Sequence, residues 1–435
     1  MAARLLHDAG QIPRIAGRGA LPAPASPDVR DHLQMTAPRV APRIAYVVSQ
    51  YPASSHTFIR REVDSLRRHG VDLRTYSIRR PSPAELTAPE DRASFAQTRF
   101  VLPLSPLALA GSHVRALATR PLAWARLLRL ATRHRAPGGR ALLWSLFHFA
   151  EAVVLARMLC EDGITHVHNH FANAGATVGM LAARFAALPW SLTLHGISET
   201  DYPAGLMLGA KLEAAEFAAC VSWFGRAQAM RVTAPAHWHK FQVVRCGLDL
   251  PALPPPAPHA GPRRDIVCVA RLSAEKGHLG LLDAIAPLDA TLTLVGDGPM
   301  LAEIEAAIAR LGLGGRVRFA GRLDEAATLA AIARADLLVL PSFMEGLPIV
   351  LMEAMAMGVP VIGSRVAGVP ELIEDGVEGL LFRPGDWDDL RRCIARALDE
   401  PALGDALARA ARAKVEREFD IAQAVAPLVR RFGEG

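Results

Sequence analysis

Short apolar runs alternate with longer amphipathic segments along most of the chain. Strands that are buried on both faces need covering helices, so this alternation predicts parallel α/β units. Proline-rich residues 251–262 interrupt the pattern and favour a linker. We therefore expect an α/β fold with two doubly wound domains, residues 41–250 and 263–418. They would face each other across a cleft that binds ligand at the carboxyl ends of the strands.

The individual elements follow from periodicity and from the flanking glycines and prolines. The predicted strands are Arg43–Ser49, Val71–Ile78, His166–Asn169, Ser191–His195, Ala218–Ser222, Asp265–Ala270, Thr291–Val295, Val317–Phe319 and Asp336–Leu340. The predicted helices include Phe58–His69, Ala174–Phe185, Leu279–Ala286 and a last helix at about Ile421–Phe432.

Residues 342–358 place two carboxylates, Glu345 and Glu353, on either side of a predicted helix start. Gly346 loosens the turn, and Pro348 suits the first helical position. The free N–H groups of a helix start attract phosphate. A carboxylate on each side of a phosphate-binding helix start suits a nucleotide-sugar. The alternative interpretation is that both glutamates are ordinary solvated side chains.

Residues 341–386 as a whole resemble the signature region of retaining GT-B glycosyltransferases of family 4. The resemblance implies a GT-B fold of two Rossmann-like domains, with residues 419–435 crossing back to the first domain. It also implies that Glu345 contacts the donor sugar and Glu353 the nucleotide ribose. The implied donor-binding residues are Arg271, Lys276, Gly296, Gly298, Glu345, Gly346, Leu347, Pro348, Ile349 and Glu353. Those implied to act in catalysis are Glu345, His195, Arg271 and Lys276.

Arg271 and Lys276 lie in the loop after the first strand of the second domain. A departing diphosphate is an anion, and fixed positive charges stabilise it. Arginine binds two phosphate oxygens at once, while lysine acts as a point charge. In family 4 the matching residues hold the donor diphosphate, and Gly296 and Gly298 resemble its glycine-rich turn near the nucleotide. The alternative for Arg271 and Lys276 is an ordinary charged surface loop, and the alternative for Gly296 and Gly298 is an ordinary turn.

The loop after the first strand of the chain carries the acceptor-side candidates Tyr51, Ser55, His56 and Thr57. It resembles a segment of exopolysaccharide-type enzymes, such as those of colanic acid and amylovoran biosynthesis. His56 stands where that subgroup usually carries glutamate, so acceptor preference is expected to differ. Ser55 or Thr57 as a helix cap is the structural alternative.

Histidines alternate along the strand that contains His166, His168 and His170. No carboxylate or cysteine ligand follows nearby, which disfavours a metal site. The run resembles one at the interdomain cleft of the exopolysaccharide-type subgroup, and this resemblance implies substrate contact by His170, with simple packing as the alternative. Asp386 and Asp388 form a D-x-D pattern, but Asp386 opens a helix and is interpreted as its cap. We expect no metal requirement and no cofactor, with the nucleotide-sugar serving as a substrate.

Basic residues dominate residues 92–150, which contain no aspartate or glutamate. Arginines interrupt apolar stretches there, a pattern that suits an anionic membrane surface. A helical subdomain with solvated arginines is the alternative. Nucleic-acid binding is less favoured, because no RNA- or DNA-binding motif accompanies the charge. These arginines are Arg115, Arg120, Arg126, Arg129, Arg133, Arg135 and Arg140.

The chain has 435 residues and a net charge of +6, which suits a multidomain globular protein. Its five cysteines form no C-x-x-C pair, and this fits a reducing compartment. No apolar run approaches the roughly 20 residues that span a bilayer. Residues 1–40 are expected to be a disordered extension, and Met35 could be the true start. A cytoplasmic protein, peripheral on the inner membrane, is expected.

Together these patterns predict a retaining hexosyltransferase of polysaccharide assembly, acting on a lipid-linked saccharide. A GT-B sugar-nucleotide epimerase and a catalytically inactive GT-B scaffold are the alternatives. Intact Glu345, Glu353, Arg271 and Lys276 weigh against the scaffold.

Overall fold

The computed structural model describes residues 42–53, 56–86, 88–255 and 263–433. These residues form two parallel sheets with helices packed on both, so the predicted α/β class is confirmed. We call each sheet with its helices a lobe, N-terminal or C-terminal. The predicted extension over 1–40, most of the linker and Ser55 lie outside the described residues.

The N-terminal sheet has seven parallel strands in the order β3-β2-β1-β4-β5-β6-β7. Its interior strand β1 is rich in β-branched and aromatic side chains and is buried along most of its length. The strands are β1 Arg43–Gln50, β2 Asp72–Arg79, β3 Arg99–Phe100, β4 His166–His170, β5 Trp190–Leu194, β6 Ala218–Cys220 and β7 Phe241–Val243.

The C-terminal sheet has six parallel strands in the order β10-β9-β8-β11-β12-β13. The strands are β8 Asp265–Val269, β9 Thr291–Val295, β10 Val317–Gly321, β11 Leu337–Leu340, β12 Val361–Ser364 and β13 Leu380–Phe382. In both sheets the order reverses beside the first strand, β1 or β8, and at such a point the loops after neighbouring strands diverge and leave a crevice.

Helices connect these strands and cover the two sheets. In the first part of the chain they are α1 Thr57–Arg68, α2 Pro89–Gln97, α3 Pro106–Thr119, α4 Pro121–Arg133, α5 Gly139–Glu161, α6 Ala174–Ala186, α7 Ile197–Thr200, α8 Leu208–Ala214 and α9 Trp223–Arg231. In the second part they are α10 His278–Ile285, α11 Leu301–Arg310, α12 Glu325–Ala333, α13 Ile349–Ala356, α14 Val369–Leu372, α15 Trp387–Asp399, α16 Pro401–Glu418, α17 Ile421–Ala424 and α18 Ala426–Gly433.

The end of the chain returns to the N-terminal lobe. The N–H of Leu248 donates to the carbonyl of Phe419, and the N–H of Ile421 donates to the carbonyl of Leu248. Helix α17 then packs on α1, and Phe432 lies in the core beside Tyr46. The prediction of one continuous last helix is wrong. The helix breaks at Val425, and a proline follows in the first turn of α18, a position that proline tolerates.

Helix α5 corrects the expectation about long apolar runs. Its 23 residues, Gly139–Glu161, are long and apolar enough to cross a bilayer by length and composition. Half of its most apolar window is nevertheless buried inside the protein, where α5 packs against α6. Core packing therefore accounts for much of the apolar character that composition alone would assign to a membrane span.

Candidate functional site

Several of the predicted site residues meet at a cleft between the lobes, at the carboxyl ends of the strands. A cavity of about 410 Å³, here called the inner cavity, lies between the two lobes. Its lining includes His195 and Phe171 from the N-terminal lobe, with Lys276, Glu345 and Gly346 from the C-terminal lobe. Loops after four different strands thus meet in one place, as the parallel topology predicts.

A second cavity of about 640 Å³, here called the outer cavity, lies beside the loop after β8. It is lined by Arg271, Gly296 and Gly298 among others, and Glu85 reaches it from the N-terminal lobe. Gly296 has a φ of +142°, and a Cβ there would lie 2.0 Å from the carbonyl oxygen of Ala270. Glycine is therefore required for the turn to pack against the loop that carries Arg271.

Lys276 and Glu345 form an ion pair inside the inner cavity. The distance between Lys276 Nζ and Glu345 Oε1 is 2.6 Å, and both side chains are mostly buried. Lys276 ends a short 3₁₀ turn, Ala274–Lys276, and Glu345 lies in the loop before α13. An ion pair with little exposure needs further polar partners to offset its desolvation, and a polar ligand in the cavity would supply them.

Gly346 brings the two lobes into backbone contact. A Cβ at Gly346 would lie 2.1 Å from the carbonyl oxygen of His195 and 2.8 Å from the Cα of Gly196. Any side chain at this position would push the lobes apart. The sequence interpretation of Gly346 as a loose turn missed this role, because the contact joins residues about 150 positions apart.

Helix α13 begins one residue later than predicted. Pro348 is its N-cap and Ile349 its first residue, and the Pro348 carbonyl accepts the first hydrogen bond from the N–H of Leu351. Leu347 lines the inner cavity.

Glu353, further along α13, is buried. Its Oε1 lies 2.8 Å from Nη2 of Arg61 in the N-terminal lobe. Burial raises the pKa of Glu353, and the Arg61 guanidinium opposes that rise.

His195 lines the inner cavity with its ring, but both ring nitrogens face the protein. Its Nε2 is 2.8 Å from Nδ1 of His170, and its Nδ1 is 4.0 Å from Sγ of Cys246. Burial, reinforced by nearby His170 and His56, holds its pKa well below the ordinary value, so the ring is neutral. His195 therefore borders the inner cavity as an uncharged ring, and the role suggested for it by the resemblance stays a prediction.

His170 is fully buried beneath His195 and does not line either cavity. Its Nε2 is 3.4 Å from Glu62, which also accepts a 2.6 Å hydrogen bond from the hydroxyl of Tyr46. His166 and His168 bind Ser191 and Thr193 within the same sheet. The histidine strand is thus a packed polar network below the cleft. Direct contact of His170 with an acceptor does not occur in this arrangement.

A buried carboxylate, Glu199, holds the loop that contains His195. It accepts hydrogen bonds from the N–H groups of His195 (2.5 Å), Gly196 (3.1 Å) and Ala172 (2.5 Å). Lys211 nearby donates to the carbonyl of Ala172 at 2.6 Å. Burial raises the pKa of Glu199 to about 7 and lowers that of Lys211 to about 7. Sequence reasoning missed both residues, although Glu199 stands three positions after Gly196, the spacing of a capping box.

The remaining acceptor-side candidates separate in the structure. Tyr51 is buried in the core, whereas His56 lines the inner cavity. His56 occupies the N-cap position of α1 without a side-chain cap bond, and Thr57 is the first helical residue. The alternative in which Thr57 caps the helix is therefore wrong, because the helix starts at Thr57 itself.

Metal ligands do not gather among the described residues, where no group of three or more histidine, cysteine or acidic side chains is arranged to hold an ion. Asp386 caps α15 by accepting a hydrogen bond of 2.9 Å from the N–H of Asp389. The D-x-D pattern therefore has a structural role at this helix start.

Comparison with known proteins bears on both the C-terminal lobe and the whole fold. Residues 252–414 match the family model of glycosyl transferases group 1. Over 90% of its length the chain superposes on HepE of Anabaena, solved in complex with UDP, with a TM-score of 0.69 and 19% identity, covering 100% of that structure. The fold is GT-B. The two lobes facing across a cleft are the two halves of that fold.

Two curated relatives are similar over part of the chain. Glycogen synthase of Mycobacterium tuberculosis is 30% identical over 279 residues, which are 59% of this chain and 65% of the relative. The amylovoran biosynthesis glycosyltransferase AmsK of Erwinia amylovora is 37% identical over 166 residues, 36% of this chain and 41% of the relative. The chain therefore spans less than two thirds of the length of either relative.

Proposed function

We propose that this GT-B protein is a retaining glycosyltransferase that moves a hexose from a uridine diphosphate sugar to a saccharide acceptor. The observation that carries the proposal is the Lys276–Glu345 pair in the inner cavity, next to the outer cavity with Arg271 and the glycine turn. Cations and a carboxylate close together in a cleft suit a ligand that is anionic at one end and hydroxylated at the other. The match to glycosyl transferases group 1 supports this assignment.

In the proposed complex the nucleotide occupies the outer cavity and the sugar the inner cavity. The anomeric carbon–oxygen bond to the diphosphate breaks, and its electron pair leaves with the diphosphate. The acceptor hydroxyl oxygen bonds to the same face of the sugar, and its proton passes to an oxygen of the departing diphosphate. Lys276 and Arg271 stabilise the negative charge that grows on the departing diphosphate. Glu345 orients the sugar and stabilises positive charge on it. We assign Glu345 no nucleophilic attack.

The uridine preference rests on HepE, whose structures were solved with UDP and with UDP-glucose. A thermal-shift panel of UDP-, GDP- and ADP-sugars tests it, because a specific ligand raises the melting temperature through mass action. We expect the largest shift with a UDP-hexose. A larger shift with GDP- or ADP-sugars would redirect the assignment to another base.

Product analysis with a labelled UDP-hexose tests the reaction itself. Transfer with retention yields a labelled glycoside of unchanged anomeric configuration by nuclear magnetic resonance. An epimerase would instead yield a different free or nucleotide-bound sugar without any acceptor. An inactive scaffold would yield neither product and would contradict the proposal.

The proposed acceptor is a lipid-linked saccharide of exopolysaccharide assembly, reached at the cytoplasmic face of an anionic inner membrane. Helices α3, α4 and the start of α5 pack together and expose several large apolar side chains. Leu107 is 86% exposed, Leu122 71% and Val114 65%. Arg115, Arg129 and other arginines are exposed on the same helices. Apolar side chains with surrounding cations suit insertion between anionic headgroups.

Liposome flotation tests this membrane contact. We expect binding to vesicles with anionic lipid, weaker binding to neutral vesicles, and a decrease with salt because screening shortens the reach of each charge. Leu107→Asp with Leu122→Asp should release the protein. Val377→Asp is the matched control, since Val377 is also exposed but lies in the C-terminal lobe. Equal partitioning to both vesicle types would contradict the proposal.

A further inference from the structure

Two adjacent arginines of α1 cross the cleft to two glutamates of the opposite lobe. Arg61 Nη2 lies 2.8 Å from Glu353 Oε1 and 2.5 Å from Glu325 Oε1. Arg60 also pairs with Glu325 and lies 3.6 Å from Asp91 of its own lobe. The arginine side chains are 8% and 11% exposed, so solvent screens these contacts weakly. We call this group the cross-lobe cluster.

The cross-lobe cluster exists only while the lobes are together. Arg61 comes from α1, whereas Glu325 begins α12 and Glu353 lies in α13. If the lobes separated, Glu353 would lose its one ion-pair partner among the described residues. Separation would replace this charge-assisted contact with hydration, and the Arg61 guanidinium would no longer fix the orientation of the Glu353 carboxylate. Its state is therefore tied to closure of the cleft.

The closed arrangement also leaves hydrogen-bonding capacity unused. Nη1 of Arg61 and Nε of Arg60 are buried, and neither has a hydrogen-bond acceptor among the described residues. Each unsatisfied buried donor destabilises the state that contains it. A ligand hydroxyl beside Glu353 would accept from Arg61 and donate to the carboxylate, and it would relieve this deficit.

We propose that Arg61 is a positioning residue that couples nucleotide-sugar binding to closure of the cleft. It holds the Glu353 carboxylate toward the donor ribose only when the N-terminal lobe is docked. This inference rests on the proposed function, together with the ribose contact that the family resemblance implies for Glu353. The ribose subsite is then shared by both lobes, so donor binding stabilises the closed state and closure strengthens donor binding by the same factor.

The test compares UDP binding by calorimetry in wild type, Arg61→Gln, Glu353→Gln and the double variant. Arg61→Gln should weaken UDP binding about tenfold or more, the loss of one charge-assisted contact. In steady-state assays the change should appear in the donor KM more than in kcat. The double variant should bind UDP no more weakly than Glu353→Gln alone, because Arg61 acts through Glu353.

Arg68→Gln is the matched control. Arg68 lies on the same helix, and its side chain is 57% exposed. It pairs with Asp249 of its own lobe and not with a residue of the C-terminal lobe. Melting temperatures of all variants check folding. If Arg61→Gln does not fold, Arg61→Lys replaces it. Lysine keeps the charge but lacks the planar fork, so we expect a partial loss of binding.

The outcomes separate the two proposals. Wild-type UDP affinity in Arg61→Gln or Arg61→Lys would overturn the coupling while leaving the transferase intact. Losses that add fully in the double variant would also overturn it, because additivity means independent action. Absence of nucleoside diphosphate binding to the wild-type protein would instead overturn the proposed function.

Discussion

The two sides of the cleft are built on different physical principles. The C-terminal side presents charged groups in loops that follow strands directly, with Arg271 after β8 and Glu345 after β11. Around the inner cavity the N-terminal side presents neutral rings, among them His195 and Phe171, held from below by a buried polar network. The contrast teaches that one side supplies charge for binding an anion, and the other supplies shape and a fixed surface.

Replacing Lys276 breaks the charged side and has the largest expected effect. Lys276→Ala removes positive charge beside the departing diphosphate and leaves Glu345 without its ion-pair partner. Loss of one such stabilising group lowers turnover by about 10²–10³. Steady-state kinetics with saturating donor measures it, with Lys414→Ala, a lysine of α16 that pairs with Glu378, as the control. Near-normal turnover would contradict the transferase assignment.

Replacing Gly346 breaks the contact between the two sides. In Gly346→Ala the methyl group would overlap the carbonyl of His195, so the lobes cannot close as observed. Displacing reacting groups by about 1 Å costs about 10²-fold in rate. Gly314→Ala is the control, because nothing lies within 4 Å of a Cβ there. If Gly346→Ala keeps full activity, the closed arrangement is unnecessary for turnover.

The two glutamates of the charged side should divide binding from turnover. Glu353→Ala should raise the donor KM and weaken UDP binding about tenfold or more, since its proposed partner is the ribose. Glu345→Ala should lower kcat while UDP binding stays nearly intact, since its proposed partner is the sugar. Calorimetry with UDP and steady-state kinetics separate these effects. Equal loss of UDP affinity in both variants would contradict this division.

The neutral side should make stability depend on pH. Burial lowers the pKa of His166 to about 4, below the ordinary value of 6.5. Between these values the unfolded chain binds more protons than the folded one, so stability falls as the pH falls from 6.5 toward 4. This group alone lowers the free energy of unfolding by about 1 kcal/mol for each pH unit in this range. Urea unfolding at several pH values measures it, and His166→Gln should flatten the dependence.

An unchanged slope in His166→Gln would show that another group carries the acid sensitivity. His278→Gln in the C-terminal lobe should flatten the dependence to a similar extent, because burial also lowers the pKa of His278 to about 4. Acid sensitivity then follows from burial of imidazoles in both lobes.

Local patterns of the sequence predicted the charged side well. The strands before Arg271 and Glu345, the loops that carry them and the helix after Pro348 all lie in short continuous segments. Backbone preferences and hydrophobic periodicity act over such distances, so the α/β class and the positions of these loops could be predicted. The helix start moved by only one residue.

Local patterns said less about the neutral side. His170 is an acceptor-side candidate with packing as the alternative, and the structure buries it beneath His195, because strand pairing and not the sequence pattern decides which histidines reach the surface. Glu62, Glu199 and Lys211 gave little signal as isolated charges along the chain. Their importance comes from burial, which makes each hydrogen bond to them matter more.

The sequence by itself determined the alternation of strands and helices, the loops that carry the charged residues, and the basic character of residues 92–150. Only the tertiary structure decided that Gly346 touches His195 and that Arg61 pairs with Glu353. The physical reason is distance along the chain. Periodicity reports how a segment meets its immediate surroundings, whereas contacts between lobes depend on how two complete sheets pack against each other.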